Sequence, residues 1–468
     1  MKYYSKLLNN SKKSDILDKL KDSNGLHFAN TKDRDDYLVK HFKDKFEKPF
    51  IPNISLREFF GDDWNHPILN SHKLSDIDKA SLENEITMEE LQQSLNSSNF
   101  NSCSGADGFH IKAIKKFWDF LRVPFLKGFN NMVRKKELSP LLRCSSIRLI
   151  PKNGPVDQSK ITNARPIANL PAPTKLFTGV IALRLNSVID KVVYRAQKGY
   201  SSQYCIQEGL LTMYELISKS LKTDTSLGIL NLDFKAAFDS LSHDYLIDVL
   251  ETFNFGPNFI NLVRTCLNSR YGHIITNTGI TTNFMIALGS LQGDRPSCPY
   301  FKIGLNPLVI KIIINLHISI PPQIPFNVPP DFTPDPASFF ADDGDIFFKP
   351  NVQSLNACYS LLKKFGEMSG LKINTSKTKI CLVGPKINNN NFLVYANSLG
   401  FEIVNEFKML GLTFDNKLEN MDKNWDKCIR KMNKIKNFWG ILGLSVPGKI
   451  TIIKTFLLRI YKPPKVFP

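Results

Sequence analysis

The chain has 468 residues, of which 42% are hydrophobic. This is enough for a sizeable core and excludes wholesale disorder. Lys and Arg total 61 against 43 Asp and Glu, which gives a formal net charge of +18. Such an excess favours a polyanionic partner, nucleic acid before an anionic membrane, with drift in a chain rich in Asn, Lys, Ile and Phe as the simpler alternative.

The cysteines and the apolar runs indicate the cellular compartment in which the protein works. The eight cysteines are scattered, with no C-x-x-C pair and no histidine at metal-ligand spacing, which predicts free thiols in a reducing environment. The first 25 residues are polar and rich in lysine, so we expect an intracellular protein that is not secreted. Polar residues interrupt the apolar run Ile303–Ile320, which predicts a buried helix and no membrane span.

The first 80 residues are polar and mixed in charge, and we predict an N-terminal extension or linker without chemistry, containing a short helix over Tyr37–Phe46. Ile86–Leu95 has the pattern of a helix capped by Thr87, with Glu90 completing a capping box. A tight loop, SGADG at 104–108, leads into a helix that places Ile111, Ile114, Trp118 and Leu121 on one face.

Two basic residues lie close to a predicted hairpin. The strand Ile147–Ile150 runs into Lys152 and an Asn153-Gly154 turn, and a second extended piece carries Arg165. Solvated charge is the ordinary explanation for both. A helical stripe of apolar residues between Phe177 and Val188 then indicates core packing.

An acidic residue follows the next predicted strand. Alternation places Leu230, Leu232 and Phe234 on the core-facing side, with Ile229, Asn231 and Asp233 on the other. An acid on a core strand is unfavourable unless it is paired or binds a cation, so Asp233 is a candidate functional residue. Phe238 lies five residues further on, before a predicted helix from His243 to Phe253.

A second acidic site lies on a predicted hairpin. A Gly- and Pro-punctuated loop at 287–299 leads into an apolar helix over 300–316, and a proline-rich connector at 318–337 follows. Ser338–Phe348 then reads as two short apolar strands joined by a turn containing Asp343-Gly344, with Asp342 and Asp343 at its tip. Taken alone, the pair also fits a plain turn without chemistry.

The remainder is helical, with two short interruptions. The stripe Leu355–Met368 predicts an amphipathic helix that stops at Gly370. A turn with Lys372, Lys377 and Lys379 follows, and 407–411 predicts a short strand and turn. An apolar stripe from Met421 to Ile435, surrounded by lysines and Arg430, predicts a basic amphipathic helix.

These elements support one chemistry if the strand and the hairpin are neighbours in a single sheet. Asp233, Asp342 and Asp343 then meet, and three carboxylates without His or Cys select Mg²⁺ or Mn²⁺. Two such ions can hold the attacking and leaving oxygens of a phosphoryl transfer, while Lys152, Arg165 and the downstream lysines neutralise phosphate charge.

From about Ile86 to the C-terminus, the motifs resemble those of reverse transcriptases of the non-LTR retrotransposon type, and they occur in the order found in that family. The segments that carry the resemblance are SGADG, LIPK ending at Lys152, NARPI with Arg165, NLDFKAAFDSLSH, GSLQGDRPSCP, FFADD, SGLKINTSKTK, FKMLGLTF and LSVPGKITIIKTFLLRIYK.

The resemblance implies an α+β, right-hand polymerase fold with fingers, a palm whose antiparallel sheet packs on helices, and a partial helical thumb. We predict fingers at 81–200, a catalytic palm at 201–415 and a truncated thumb at 416–468. The implied activity is RNA-directed DNA synthesis, with an RNA template, a DNA primer and deoxynucleoside triphosphates as partners. No membrane is implied, and the oligomeric state is left open.

The resemblance also implies residue roles. Asp233 and Asp342 hold two Mg²⁺ ions, with the Phe234 carbonyl as a further ligand and Asp343 as a weaker or outer one. Lys152 and Arg165 bind the triphosphate, and Phe238 excludes a ribose 2′-hydroxyl, with plain packing as its alternative. Gln292 and Gly293 line the nucleotide site, and Lys377, with Lys379 close by, protonates the leaving pyrophosphate.

Two departures from the family pattern keep alternatives open. Ser297 and Pro299 are separated by Cys298, where the family usually has Ser followed directly by Pro, which puts the template-side contacts in doubt. The sequence shows no upstream endonuclease and no Cys/His knuckle, so a truncated copy is expected. A catalytically inactive remnant that only binds nucleic acid, and an intron-encoded maturase, are the competing hypotheses.

Overall fold

The structure is a computed structural model that describes residues 16–47, 54–152, 157–201, 206–268, 270–321, 334–385, 390–440 and 443–457. The predicted Asn153-Gly154 turn, most of the connector at 318–337 and the end of the closing segment lie outside these ranges.

Helices and strands alternate irregularly along the chain. The helices are α1 (Ile16–Lys19), α2 (Thr31–Phe46), α3 (Leu56–Phe60), α4 (Pro67–Ser71), α5 (Asp76–Leu82), α6 (Met88–Asn96), α7 (Ile111–Lys116), α8 (Trp118–Lys135), α9 (Pro140–Arg143), α10 (Ala172–Val192), α11 (Ile206–Lys222), α12 (Ala237–Ser240), α13 (His243–Thr252), α14 (Pro257–Leu267), α15 (Ser297–Ile314), α16 (Val352–Ser369), α17 (Asn390–Ser398), α18 (Asp422–Gly440) and α19 (Val446–Ile452). The strands are β1 (Cys144–Pro151), β2 (Ala164–Asn169), β3 (Leu227–Leu232), β4 (Tyr271–Thr276), β5 (Gly279–Ile280), β6 (Phe284–Met285), β7 (Ala337–Phe340), β8 (Asp343–Phe348), β9 (Lys379–Val383), β10 (Glu402–Val404), β11 (Glu406–Met409) and β12 (Leu412–Asp415).

The first sheet has the order β2-β1-β4-β5, with β6 also paired to β4. Strands β1 and β2 are antiparallel, with Ile150 opposite Arg165, whereas β1 and β4 are parallel. Helix α2 packs on this sheet because its buried Phe42 and Phe46 belong to the same apolar cluster as Ile147. Part of the segment that we expected to be an extension or linker therefore lies against the first sheet.

The second sheet has the order β10-β9-β3-β8-β7, with β3 antiparallel to both of its neighbours. The predicted alternation along β3 is confirmed, since Leu230, Leu232 and Phe234 pack in the largest apolar cluster. Ile229 on the other face is also buried, in a separate cluster beneath α11. Both faces of β3 are therefore covered, which fixes the end of the strand where Asp233 follows.

The predicted helix ends are mostly confirmed. Thr87 and Glu90 form the reciprocal capping box, and Gly370, with a φ of 83°, ends α16 in the left-handed conformation that favours glycine. The single helix expected through Ile111 and Leu121 is wrong, because the chain breaks at Phe117 into α7 and α8. Ile111, Ile114 and Trp118 nevertheless all reach the core.

Helix α15 is long and apolar enough to cross a membrane, but 78% of its 18-residue window is buried inside the protein. Length and composition of this kind are also typical of a core helix. Its large buried apolar side chains belong to the largest cluster, as expected for the buried helix that the sequence predicts. The whole is a mixed α+β protein in which helices pack on the sheets.

Candidate active site

Strand β3 and the β7–β8 hairpin bring the predicted acids to one end of the second sheet. Leu232 pairs with Gly344, and Phe340 pairs with Asp343, so Asp233 leaves β3 beside the tip of the hairpin. Asp233 and Asp342 line the same cavity, whose volume is about 900 Å³. The prediction that strand and hairpin are neighbours in one sheet is confirmed.

The turn of the hairpin differs from the sequence expectation. Phe340 and Asp343 are paired, so the two-residue turn is Ala341-Asp342, and Ala341 has a φ of 57°. Gly344 lies within β8 and is not part of the turn. A Cβ atom there would lie 2.4 Å from the Phe339 ring, so the glycine provides space for a buried aromatic side chain.

Repulsion among the acids is visible at Asp343. Burial raises the pKa of its carboxyl, and the negative charges of Asp342 and then Asp233 raise it further. The three carboxylates therefore interact electrostatically, although only Asp233 and Asp342 are among the described residues that line the cavity. A bound cation would relieve this repulsion.

The donor set has the right chemistry for a hard divalent cation, because carboxylate oxygens are the preferred ligands of Mg²⁺ and Mn²⁺. Within the part of the chain that the structure describes, no three His, Cys, Asp or Glu side chains form a cluster ready to hold a metal ion. Asp233, Asp342 and Asp343 are neighbours, as predicted, but they do not by themselves form a complete set of metal ligands.

The predicted basic residues lie on other walls of the same cavity, which is lined by Lys152, Arg165 and Lys377. The Lys152 backbone N–H donates to Asn163 (2.9 Å), and its ammonium donates to the Thr162 carbonyl (2.9 Å). Burial lowers the pKa of Lys152, and the positive charges of Lys377, Lys45 and Arg165 lower it further. Such mutual repulsion among cations favours binding of a polyanion.

The loop before α15 supplies Gln292, which also lines the cavity. Its carbonyl accepts the Ala168 N–H at 2.8 Å, which fixes the loop to β2. Gly293 has a φ of 112°, and a Cβ atom there would lie 2.6 Å from the Ala168 carbonyl oxygen. The close approach that requires this glycine is therefore to β2, and Gly293 is not among the described lining residues.

Phe234 and Phe238 both line the cavity. The backbone around Phe234 is fixed on both sides, since Asn374 donates to the Asp233 carbonyl (2.7 Å) and Lys235 donates to Lys372 (2.8 Å). The Phe238 ring stacks on Phe301 with centroids 4.7 Å apart. Phe238 therefore has both a packing contact and a place in the cavity wall.

Several lining residues lie outside the motifs that the sequence shows. Helix α2 contributes His41, Phe42, Asp44 and Lys45 to the cavity, and α12 contributes Asp239. The Lys45 ammonium lies 2.7 Å from the Asp239 carboxylate. Spacing along α2 gave no chemical signal, because an amphipathic helix with lysines also fits a surface element.

Asp345 also lies outside those motifs and is 2% exposed. Asn231 donates to its carboxylate at 2.8 Å. Burial raises the pKa of Asp345 to about 7, against the opposing effect of that hydrogen bond and with a further increase from Asp343. Asp345 directly follows the Asp343-Gly344 pair, which the sequence predicts to be a turn. In a turn an aspartate is ordinary, so nothing in the sequence indicated a buried carboxyl.

Cys298, the residue that departs from the family pattern, lies in the first turn of helix α15. Ser297, Cys298 and Pro299 begin α15, and the Ser297 hydroxyl donates to the Leu291 carbonyl at 2.8 Å. Burial raises the pKa of the Cys298 thiol, and a hydrogen bond with Tyr200 opposes that increase. The residues around Cys298 therefore remain packed and hydrogen-bonded.

Two acids at the end of the second sheet and cations at the first sheet and the 370–379 turn line one cavity, and this combination matches the requirements of metal-assisted phosphoryl transfer. Residues 150–414 match the family described as reverse transcriptase (RNA-dependent DNA polymerase). The match covers more than half of the chain, and the chain belongs to this family.

Curated relatives point to retrotransposons. The chain is 28% identical over 311 residues to a Xenopus laevis protein, "Transposon TX1 uncharacterized 149 kDa protein", covering 66% of this chain and 23% of the relative. It is 24% identical over 281 residues to the Pol polyprotein of the type-1 retrotransposable element R2 of Popillia japonica, covering 59% and 37%. It is 24% identical over 346 residues to a probable RNA-directed DNA polymerase from the Drosophila melanogaster transposon X-element, covering 71% and 36%.

These relatives confirm the non-LTR type that the motifs predicted. The chain spans between 23% and 37% of the length of these three proteins.

Proposed function

We propose that this chain is an RNA-directed DNA polymerase that adds deoxynucleotides to a primer 3′-hydroxyl by a two-metal mechanism. The observation that carries the proposal is the pairing of β3 with β8, which places Asp233 beside Asp342 in a cavity that Lys152, Arg165 and Lys377 also line. Acids on one side and cations on the other match the needs of phosphoryl transfer from a triphosphate.

The proposed architecture is a right hand. Residues 81–200, with the β1–β2 hairpin, form the fingers, and residues 201–415, with the second sheet, form the palm. Residues 416–468 begin the thumb, and residues 1–80 precede the fingers. The basic helix α18 supports this division, because it follows the β11–β12 hairpin and carries a surplus of lysines suited to a nucleic-acid backbone.

Asp233 and Asp342 would hold two divalent ions, Mg²⁺ or Mn²⁺, with the Phe234 carbonyl and Asp343 as additional ligands. Ions bound there supply Lewis acidity, which lowers the pKa of the primer 3′-hydroxyl and neutralises charge on the α-phosphate. The protein's own contribution is placement, since the hydrogen bonds on either side of Phe234 hold this backbone rigidly.

The cations bind and orient the triphosphate. Arg165 suits bidentate contact with phosphate oxygens, whereas Lys152 and Lys377 act as point charges. Lys377 donates the proton that the leaving pyrophosphate requires. Gln292 lines the base and sugar region, and the Phe238 ring excludes a 2′-hydroxyl by size.

The proposed partners are an RNA template, a DNA primer and deoxynucleoside triphosphates. Their combined negative charge fits the formal charge of +18. The described cysteines are free, which fits work inside the cell, in the cytoplasm or the nucleus.

Primer extension on an RNA template with purified protein, Mg²⁺ and deoxynucleotides tests the proposal. The wild-type chain should extend the primer, and Asp233→Asn and Asp342→Asn should each reduce extension by about 10²–10³-fold, as expected when a group that stabilises the transition state is lost. Asp36→Asn provides the matched control, because Asp36 is an exposed aspartate on α2.

Extension that persists unchanged in Asp342→Asn would disprove the assigned site. A folded wild-type chain that binds RNA but adds no nucleotide would instead favour the non-catalytic remnant.

A further inference from the structure

The turn that carries Phe238, made of the one-turn helix α12 and Leu241, is held on one side by the loop before α15. The Ser290 N–H donates to the Phe238 carbonyl (2.7 Å), and the Gly289 N–H donates to the Leu241 carbonyl (2.8 Å). The approach is so close that a Cβ atom on Gly289 would lie 2.6 Å from the Asp239 carbonyl oxygen. These bonds fix the backbone of the turn but leave its cavity side to other contacts.

Helix α2 provides the contact on the cavity side. The Lys45 ammonium lies 2.7 Å from the Asp239 carboxylate, and the two side chains are only 24% and 7% exposed. A carboxylate buried to this degree needs a partner, and removing that partner from a buried pair is strongly destabilising. Asp239 directly follows Phe238, so the pair acts on the residue next to the proposed 2′-hydroxyl barrier.

Lys45 is itself held in place. Its ammonium lies 5.5 Å from the centre of the Phe46 ring, and Phe46 stacks on Phe284 with a centroid distance of 6.3 Å. The end of α2 is also bonded to the loop after β6, since the Ala287 N–H donates to the Phe46 carbonyl at 2.9 Å. A well-anchored helix therefore presents the charge to Asp239.

We propose that Lys45 is a positioning residue, whose ion pair with Asp239 holds the Phe238 turn against the nucleotide cavity and thereby sets discrimination against ribonucleotides. This inference rests on the proposed function. It assigns a role in substrate selection to the segment before residue 80, whose sequence indicates no chemistry.

Lys45 lines the same cavity as Lys152, so direct contact with the triphosphate is the competing role. The two roles predict different kinetics. A phosphate ligand raises KM for deoxy- and ribonucleotides alike and acts without Asp239. A positioning pair changes the ratio of the two kcat/KM values, and Asp239→Asn has the same effect as loss of Lys45.

Single-nucleotide incorporation should therefore be measured with a deoxynucleotide and with the matching ribonucleotide. We expect Lys45→Gln and Asp239→Asn each to lower the deoxy-to-ribo ratio of kcat/KM about tenfold, because a pocket rejects an added hydroxyl by only about 10²-fold and a displaced barrier loses part of that discrimination. The double variant should be no worse than either single one. Lys45→Arg keeps the pair and should restore the ratio, and Lys43→Gln, an exposed neighbour on α2, should leave it unchanged.

An unchanged ratio in Lys45→Gln overturns the inference, as does an equal rise in both KM values that Asp239→Asn does not reproduce. Amide hydrogen exchange tests the inference independently of enzymatic activity. In Lys45→Gln the amides of Asp239, Gly289 and Ser290 should exchange faster than in Lys43→Gln, and equal rates would overturn it. If the wild-type chain extends no primer, the proposed function fails, and the exchange rates alone then decide whether the ion pair of Lys45 holds the Phe238 turn in place.

Discussion

The imidazole of His273 lies 2.9 Å from the Ser146 hydroxyl, across the parallel pairing of β1 and β4. His273 is 5% exposed and also lies 3.4 Å from the Cys144 sulfur. Burial lowers the pKa of His273, and a hydrogen bond with Asn283 opposes the effect. The first sheet therefore contains a histidine that is preferentially neutral in the folded state.

This histidine should make stability depend on pH. Because its pKa is lowered on folding, the unfolded chain takes up a proton below the ordinary value of about 6.5 while the folded chain does not. The contribution of His273 is thus complete above that pH and is lost as the pH falls below it. Urea unfolding at pH 8, 6 and 5 should give a smaller loss for His273→Gln than for wild type. His27→Gln, at an exposed site, should follow wild type, and parallel curves for His273→Gln would contradict the assignment.

Gly344 should be intolerant of any side chain. Its added Cβ atom would meet the Phe339 ring at 2.4 Å, and that ring is only 1% exposed, so it is enclosed by other side chains. Gly344→Ala should lower the free energy of unfolding by about 1–3 kcal/mol through overpacking. Adding Phe339→Leu should recover part of the loss, as measured by urea denaturation.

The control for this effect is a glycine with space around it. In α8, apart from the backbone of the helix itself and the adjacent residues, the nearest atom to a Cβ on Gly128 is Cε of Met132 at 4.0 Å, so Gly128→Ala should stabilise the helix by up to about 1 kcal/mol. A Gly344→Ala variant as stable as wild type would show that the hairpin can shift without cost.

The sequence was sufficient where local pattern and function coincide. Alternation along β3 predicted which side chains face the largest apolar cluster and that Asp233 leaves on the opposite face, because successive side chains on a strand point to opposite faces. The Thr87–Glu90 box and the stop at Gly370 were also readable, since each depends on backbone chemistry within a few residues.

The sequence was insufficient where the signal depends on contacts between distant segments. The sequence predicts Gly344 to be a turn residue, whereas the structure shows that it makes space for the Phe339 ring on the neighbouring strand. It predicts Gly293 to contact a ligand, whereas the close approach is to the Ala168 carbonyl. Lys45 and Asp239 are 194 positions apart, and neither has a neighbour in sequence that identifies the other. Pairings of this kind become visible only when the chain is folded.

A buried ion pair that involves the loop before α15 offers a further test. Arg270 and Asp294 are joined at 2.8 Å, with side chains 4% and 3% exposed. Within the described residues, Nε and Nη2 of Arg270 have no hydrogen-bond partner, so the pair is incompletely satisfied. Arg270→Met leaves Asp294 buried and unpaired and should cost about 3–5 kcal/mol of unfolding free energy.

The double variant Arg270→Met/Asp294→Leu should recover most of that loss, because apolar replacement of a buried pair is often nearly neutral. Urea unfolding of the single and double variants measures the coupling. A double variant as unstable as Arg270→Met would mean that the pair has a structural role beyond charge compensation.

Lys152 provides the most direct test of the cations that line the cavity, which include Arg165 and Lys377. Its pKa is lowered by burial and by the charges of Lys377, Lys45 and Arg165, so the ammonium is held among like charges that a triphosphate would neutralise. Lys152→Met should raise KM for deoxynucleotides by about 10–100-fold, since a charge-assisted hydrogen bond contributes about 1.5–3 kcal/mol. Steady-state primer extension measures this, with Lys160→Met as the control because Lys160 is exposed and lies outside the cavity lining. If Lys152 instead serves the transition state, kcat falls with KM unchanged, and the role of this cation shifts from binding the nucleotide to stabilising the charge that develops on its phosphates.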